Sequence, residues 1–287
     1  MQIKQALKLA IEKCTSSPTP QLDARILLCH VLSLTHEQLI IKYDDLLTAS
    51  QIGVFFSLVE RRAALEPIAY ITGNQEFYGL SFTVDKNVLI PRPDTELLVQ
   101  NVIDDYKTNY DGQKNDGQKI KILELGTGSG AICISIAKEL SFADIIAVDI
   151  SDKALHIAKI NAASHEVISR INFIQSDWYD NVPKITFDYI ISNPPYIAFN
   201  EQIHMSPSTI LFEPSLALYA LGGGLASYID IIAQAKQFLK IKGKIFLEIG
   251  FDQGNKVGEI LKDCGFNDIK IKQDIAGHDR LIMAKTI

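Results

Sequence analysis

Two short stretches of this 287-residue chain carry residue types whose spacing suits chemistry. The first is Ser192-Asn193-Pro194-Pro195-Tyr196, directly after the apolar run Phe187–Ile191. A Pro-Pro pair continues neither strand nor helix and forces a rigid extended turn. Prolines lack N–H groups, so the turn presents carbonyl oxygens without paired donors. Together with the Asn193 side-chain oxygen they form an acceptor cluster suited to an –NH₂ group, and Tyr196 offers a flat face for a planar group. The second stretch is Glu124-Leu-Gly126-Thr127-Gly128-Ser129-Gly130, where a short apolar run gives way to helical spacing. Its G-x-G-x-G spacing differs from the dinucleotide fingerprint, and no G-K-[ST] follows to make a P-loop. Read alone, it could be no more than a tight strand–helix connection. A further acid, Asp149, ends the next apolar run, where its carboxylate can accept from two ribose hydroxyls.

The elements that position these residues follow from periodicity. From Ile120 onward, short apolar runs (Ile120–Leu125, Ile145–Val148, Ile171–Ile174, Phe187–Ile191, Lys244–Ile249) alternate with helical patterns at Ala131–Lys138, Lys153–Ala163 and Ala226–Leu239. That alternation predicts a parallel sheet covered on both faces, with ligands bound at the carboxyl ends of its strands. The tail, Ile269–Ile275 and Leu281–Ala284 about a Gly277-His278-Asp279 turn, predicts an antiparallel hairpin at the sheet edge. Residues 1–76 read instead as several short helices, broken at Ser16–Pro20 and capped near Thr48–Ser50. Between these regions, Phe77–Val84 and Val88–Ile90 predict a hairpin turning at Asp85–Asn87, and Asp94 or Thr95 caps a helix through Leu97–Ile103. The near-repeat Asp111-Gly-Gln-Lys, Asp116-Gly-Gln-Lys has the composition of a surface loop.

Composition narrows the classes. Hydrophobic residues are 47% and charged residues 22%, a globular balance. No apolar run reaches the roughly 18–20 residues of a membrane helix, and the amphipathic N-terminus does not read as a secretion signal. Cys14, Cys29, Cys133 and Cys264 form no C-x-x-C pair and suit buried thiols of a cytoplasmic protein. The net charge is −6, and the first 84 residues hold seven Lys/Arg against eight Asp/Glu, so no basic nucleic-acid clamp is expected. The six histidines are isolated, without metal-ligand spacing, and no metal is expected.

The glycine pattern with its following acid resembles class I S-adenosylmethionine-dependent methyltransferases. Asn193-Pro-Pro-Tyr196 resembles the signature of those that act on planar amino groups. Glu66-Pro-Ile-Ala-Tyr-Ile-Thr-Gly73, Phe77-Tyr-Gly79, Leu89-Ile-Pro-Arg-Pro-Asp-Thr-Glu96, Glu213-Pro214, Leu247-Glu-Ile-Gly250 and Asp274-Ile-Ala-Gly277 narrow this further. Over nearly the whole chain the sequence resembles the peptide chain release factor N5-glutamine methyltransferases. Asp94 stands where Glu is commoner in that family, and Leu221-Gly-Gly-Gly-Leu225 replaces a loop that often carries an acid.

The resemblance implies an α/β fold: a doubly wound class I methyltransferase sheet with an antiparallel edge hairpin, preceded by a small all-α domain and a connecting β-hairpin. The implied domains are residues 1–76 (helical, docking the substrate), 77–92 (hairpin linker) and 93–287 (methyltransferase). It further implies methyl transfer from S-adenosyl-L-methionine to the side-chain amide of the glutamine in the Gly-Gly-Gln motif of class 1 release factors, in support of translation termination. S-adenosyl-L-homocysteine would be the product, and neither nucleic acid nor membrane a direct partner. Gly126, Thr127, Gly128, Ser129 and Gly130 would face the methionine part and Asp149 the ribose. Trp178 would lie by the adenine, although a lone Trp is more often a core anchor. Asn193, Pro194, Pro195 and Tyr196 would grip the amide, with Asn193, Pro194 and Tyr196 as catalytic residues and Asn193 also touching cofactor. Two readings compete: an adenine-N6 nucleic-acid methyltransferase using the same loop, and a non-catalytic cofactor-binding module. The charge balance speaks against the first and an intact Asn193–Tyr196 loop against the second.

Overall fold

A computed structural model describes residues 1–110 and 119–287. The loop expected at 109–119 falls almost wholly on residues 111–118, outside the described residues. The chain divides into two compact units, Met1–Asn74 with Met205–Glu213, and Gln75–His204 with Pro214–Ile287.

The first unit is helical: α1 (Ile3–Lys13), α2 (Pro20–Leu32), α3 (His36–Ile41), α4 (Ala49–Ala63) and α5 (Ile68–Thr72). Each long helix buries one stripe, as in Ile3, Ala6, Leu7 and Ala10 of α1, and the stripes meet around Leu27, Leu28, Phe55 and Val59. Thr48 caps α4 through a reciprocal box with Gln51. Inside the unit lies a buried ion pair, Arg62 Nε to Asp23 Oδ2 at 2.5 Å. Asp23 also accepts from the hydroxyls of Ser17 (2.6 Å) and Thr19 (3.1 Å), and Arg62 donates to Ser17 Oγ and the Glu66 carbonyl.

The second unit opens with the hairpin β1 (Asn74–Phe77) and β2 (Leu80–Thr83). Its turn is Tyr78-Gly79, both at positive φ (50° and 69°), as a two-residue type I′ turn requires. The turn therefore lies earlier than the one expected at Asp85–Asn87. That segment instead folds on itself: the Asn87 N–H donates to Asp85 Oδ1 and the Val88 N–H to the Asp85 carbonyl, and Val88–Ile90 joins no strand.

Then follow α6 (Glu96–Tyr110), β3 (Ile120–Leu125), α7 (Ala131–Glu139), β4 (Ala143–Asp149), α8 (Asp152–Ser164), β5 (Ile171–Gln175) and β6 (Phe187–Ser192). After α9 (Pro207–Phe212), part of the first unit, come α10 (Leu221–Gly224), α11 (Ala226–Phe238), β7 (Leu239–Glu248), α12 (Gly254–Asp263), β8 (Asn267–Gln273) and β9 (Asp279–Lys285).

These strands form a seven-stranded sheet in the order β5-β4-β3-β6-β7-β9-β8. The first five are parallel, and β9 and β8 add the antiparallel edge that the tail pattern predicts. Alternate residues of β3 serve opposite cores, Ile120 and Ile122 on the α6–α7 side and Leu123 and Leu125 on the α11–α12 side. Because helices cover both faces, the central strands read as continuous apolar runs. Strand order reverses at β3, with β4 on one flank and β6 on the other, which opens a crevice beyond their carboxyl ends.

Removing one partner of a buried ion pair leaves the other charge uncompensated. Arg62→Met should therefore destabilise the helical unit by about 3–5 kcal/mol, read by urea unfolding followed by circular dichroism. A loss below about 1 kcal/mol would mean that the pair behaves as a solvated one.

Candidate active site

A cavity of 570 Å³ occupies the crevice beyond β3, β4, β5 and β6, within the size range of small-ligand sites. Four successive strand ends supply its walls: Gly126–Ser129 after β3, Asp149 at the end of β4, Ser176–Trp178 after β5, and Asn193 with Pro195 after β6. Parallel pairing aligns Leu125 with both Val148 and Ser192, so the glycine loop lies between the acid and the acceptor loop. The buried Ser192 hydroxyl donates to the Leu125 carbonyl at 2.7 Å and ties the two strand ends together.

The glycine loop is fixed from below. Its Thr127 N–H donates to the Val148 carbonyl. Asn161 of α8, fully enclosed, donates to the Ser129 and Thr83 carbonyls and accepts from the Thr83 N–H. Gly130 sits at φ +81°, and a Cβ there would lie 3.2 Å from Ala158 Cβ and 2.9 Å from Ile134 Cδ1. Its bareness lets α7 pack against α8, and it does not line the cavity.

Asp149 accepts from the Gly128 N–H through Oδ2 (2.8 Å) and from the Ser151 N–H through Oδ1 (2.9 Å). Burial raises its pKa, and these two bonds oppose the rise. Each oxygen keeps a lone pair for a further donor, as a pair of vicinal hydroxyls demands. Trp178 adopts φ +40°, a conformation that costs a non-glycine residue on the order of 1–3 kcal/mol. The Ser176 hydroxyl holds it there by donating to the Trp178 carbonyl at 2.9 Å. The indole closes the cavity over Gly126, where an added Cβ would lie 3.8 Å from Trp178 Cζ3.

Of the acceptor loop, Asn193 and Pro195 line the cavity, whereas Pro194 and Tyr196 do not. The Tyr196 ring, expected as a flat face for a ligand, packs instead into the core on the α11–α12 side, and its hydroxyl donates to Glu248 Oε1 at 3.3 Å. Among the described residues no group of three or more His, Cys, Asp or Glu is placed to hold a metal. Composition and spacing gave no sign of Thr95, Leu216, Tyr219 or Asp230, which also line the cavity. Thr95 falls in the stretch Leu89–Glu96, Leu216 and Tyr219 come from the segment between β6 and α11, and Asp230 comes from α11 itself, so that only tertiary structure brings them to the site. The walls thus combine a carboxylate for hydroxyls, a flat indole for a heterocycle, bare backbone, and an amide for N–H groups.

Residues 5–73 match the PrmC N-terminal domain and residues 94–226 the methyltransferase small domain. A solved methyltransferase from Pyrococcus furiosus shares the fold, with a TM-score of 0.53 at 16% identity over 81% of this chain and 98% of that one. A release factor glutamine methyltransferase of Aliivibrio fischeri is 37% identical over 100% of this chain and 98% of its own. This chain belongs to that family. A bifunctional methyltransferase of Rickettsia conorii is 45% identical over 99% of this chain, which spans 58% of that protein's length. Membership of the release factor glutamine methyltransferase family agrees with the seven-stranded sheet and with the acceptor loop beyond its fourth parallel strand end.

Two carboxylates lie beneath the family's two loops without full solvation. Glu124 is enclosed; its Oε2 accepts from Thr127 Oγ1 at 2.5 Å, and its Oε1 has no partner. Burial pushes its pKa up to about 7, against the pull of Cys133 and Thr127. A carboxyl raised in the fold binds its proton more tightly folded than unfolded, so stability is greatest below its unfolded pKa and falls as pH rises toward 7. Glu124→Gln should remove that slope and stabilise the protein at pH 8 by roughly 3 kcal/mol, measured by urea unfolding at pH 5 and pH 8. An unchanged slope between those pH values would mean that Glu124 ionises freely.

Proposed function

We propose that this chain transfers a methyl group from S-adenosyl-L-methionine to the side-chain amide nitrogen of the glutamine in the Gly-Gly-Gln motif of class 1 peptide chain release factors. The observation that carries the proposal is the placing of Asn193 and Pro195 on the wall of a cavity that the glycine loop and Asp149 also line, in a chain of this family. The cavity fits the cofactor: Asp149 would take the ribose hydroxyls, Trp178 the adenine, and Gly126–Ser129 the methionine part. Bound there, the cofactor supplies an electrophilic methyl group on a sulfonium.

The work left to the protein is positioning. An amide nitrogen is a poor nucleophile because its lone pair is delocalised into the carbonyl. Asn193 Oδ1, with a backbone carbonyl of the same loop, accepts the two N–H bonds, aims the lone pair along the cavity and stabilises positive charge growing on nitrogen. No metal is needed for this. Solvent accepts the proton released when the product amide becomes neutral.

The test is to incubate the full chain with S-adenosyl-L-methionine and a purified class 1 release factor, then map the methyl group by mass spectrometry. Methylation of the Gly-Gly-Gln glutamine is expected; methyl transfer to nucleic-acid adenine instead would replace the proposal with its rival. Asn193→Ala should lower turnover on the order of 10²-fold or more with cofactor affinity intact. Asp149→Ala should weaken cofactor binding by roughly 1.5–3 kcal/mol with little change in turnover at saturation. Calorimetry and single-turnover kinetics separate the two, and the opposite pattern would reverse the assignments.

An acceptor loop grips any accessible primary amide, so selection of one glutamine needs surface elsewhere. The helical unit exposes Ile40, Ile41 and Leu46, at 56%, 83% and 75%. The proposal gives these exposed apolar side chains to the release factor. Ile41→Glu should lower kcat/KM on whole release factor at least tenfold and leave kcat/KM on a Gly-Gly-Gln peptide unchanged. An equal loss on both substrates would deny it a docking role.

A further inference from the structure

An asparagine side chain has two unlike ends, and the partner at one end decides which end a ligand meets. In the cavity wall, Asn193 Nδ2 donates to Thr95 Oγ1 at 3.1 Å. We infer that Thr95 is a positioning residue of the acceptor loop: its hydroxyl holds the Asn193 NH₂ group and leaves Asn193 Oδ1 as the end presented to a substrate N–H. The inference deepens the function proposed above and rests on it for its catalytic meaning.

Thr95 is 4% exposed, and the Asn193 NH₂ group meets a lone pair of its Oγ1. A buried hydroxyl on a fixed turn holds that end of the amide, and the other end, Oδ1, is left for a ligand.

The rest of the loop leaves only this freedom to fix. Gln253, 4% exposed, donates from Nε2 to the Tyr196 carbonyl at 2.9 Å, while its Oε1 accepts from the Gly250 N–H at 3.0 Å and the Tyr228 hydroxyl at 3.2 Å. Gly224 lies so close that a Cβ there would sit 2.3 Å from the Tyr196 carbonyl oxygen. The backbone after Asn193 is clamped from two sides, and rotation of the Asn193 amide remains. Thr95 comes from the conspicuous stretch Leu89–Glu96.

The experiment compares wild type, Thr95→Val and Thr95→Ser in the full chain. Thr95→Val keeps the shape and loses the hydroxyl; it should lower kcat by roughly 10- to 100-fold, with cofactor affinity and KM within about twofold of wild type. Thr95→Ser keeps the hydroxyl and should hold kcat within about threefold. A packing role predicts the reverse order, Val near wild type and Ser impaired, and that order would overturn the inference. A readout without turnover separates this inference from the proposed activity. By nuclear magnetic resonance, Asn193 side-chain amide protons should exchange at least tenfold faster in Thr95→Val than in wild type or Thr95→Ser, and equal rates would overturn the role. A wild type that methylates no glutamine would overturn the proposed activity and leave the exchange rates to decide whether Thr95 holds Asn193.

Discussion

The parallel ladder between β3 and β6 is the constraint on which the site depends. It sets Leu125 beside Ser192, so the glycine loop and the acceptor loop leave the sheet as neighbours although they are far apart in sequence. Side chains alternate across a strand, so a slip of one residue in this register would turn the apolar residues of β6 to the wrong face and move Asn193 away from the glycines. The Ser192–Leu125 hydrogen bond closes the ladder at its last rung. A pairing of this kind is non-local and gains nothing until the loop between is closed. It holds because both faces of the sheet are buried, where only one register satisfies the cores and the backbone bonds together.

Placing chemistry at strand ends has an energetic counterpart. Glu124, one residue before the end of β3, and Glu248, the last of β7, are nearly or wholly sealed from water, each with an oxygen that finds no partner. Such groups oppose folding at neutral pH. Glu124 is bonded to Thr127 of the glycine loop and Glu248 to Tyr196 of the acceptor loop. The stability lost there is recovered in the apolar layers on either side, where the large side chains Tyr189, Phe246 and Tyr228 are fully enclosed.

Much of this was legible in the sequence, and the limits have physical causes. Ile120–Leu125 reads as a strand to the residue because a strand covered on both faces is a continuous apolar run bounded by glycine. Most long helices show by an apolar stripe, but α7 is buried throughout Ala131–Ala137, and α12 (Gly254–Asp263) is absent from the sequence reading. Helices of six residues or fewer, such as α3, α5 and α9, span too few turns for a period to appear. The hairpin turn was read at Asp85–Asn87, a cluster of typical turn residues, but the chain turns at Tyr78-Gly79, with Gly79 and a tyrosine pressed into positive φ. In the site, the glycine loop, Asp149 and Asn193 are legible from residue type and spacing, and Trp178 only through the family resemblance. The sequence marks Thr95 only as a helix cap and Tyr196 as a flat face for a ligand, whereas the Tyr196 ring packs into the core. Local spacing cannot tell which face of a turn a ring will choose.

The division of the chain into units has a consequence for biosynthesis. The helical unit does not end where the sheet begins, because Met205–Glu213 belongs to it. A ribosome delivers that segment only after β1 to β6 have emerged. The first five helices can collapse early on their own apolar stripes, yet their unit is finished only when more than two-thirds of the chain has left the exit tunnel. Vectorial synthesis therefore interleaves the two units, and a cut at the apparent boundary near residue 74 would leave the α9 segment behind on the other fragment. Whatever the helical unit contributes, it is threaded into the same folding event as the sheet and is not an appendage that could be exchanged as one uninterrupted piece.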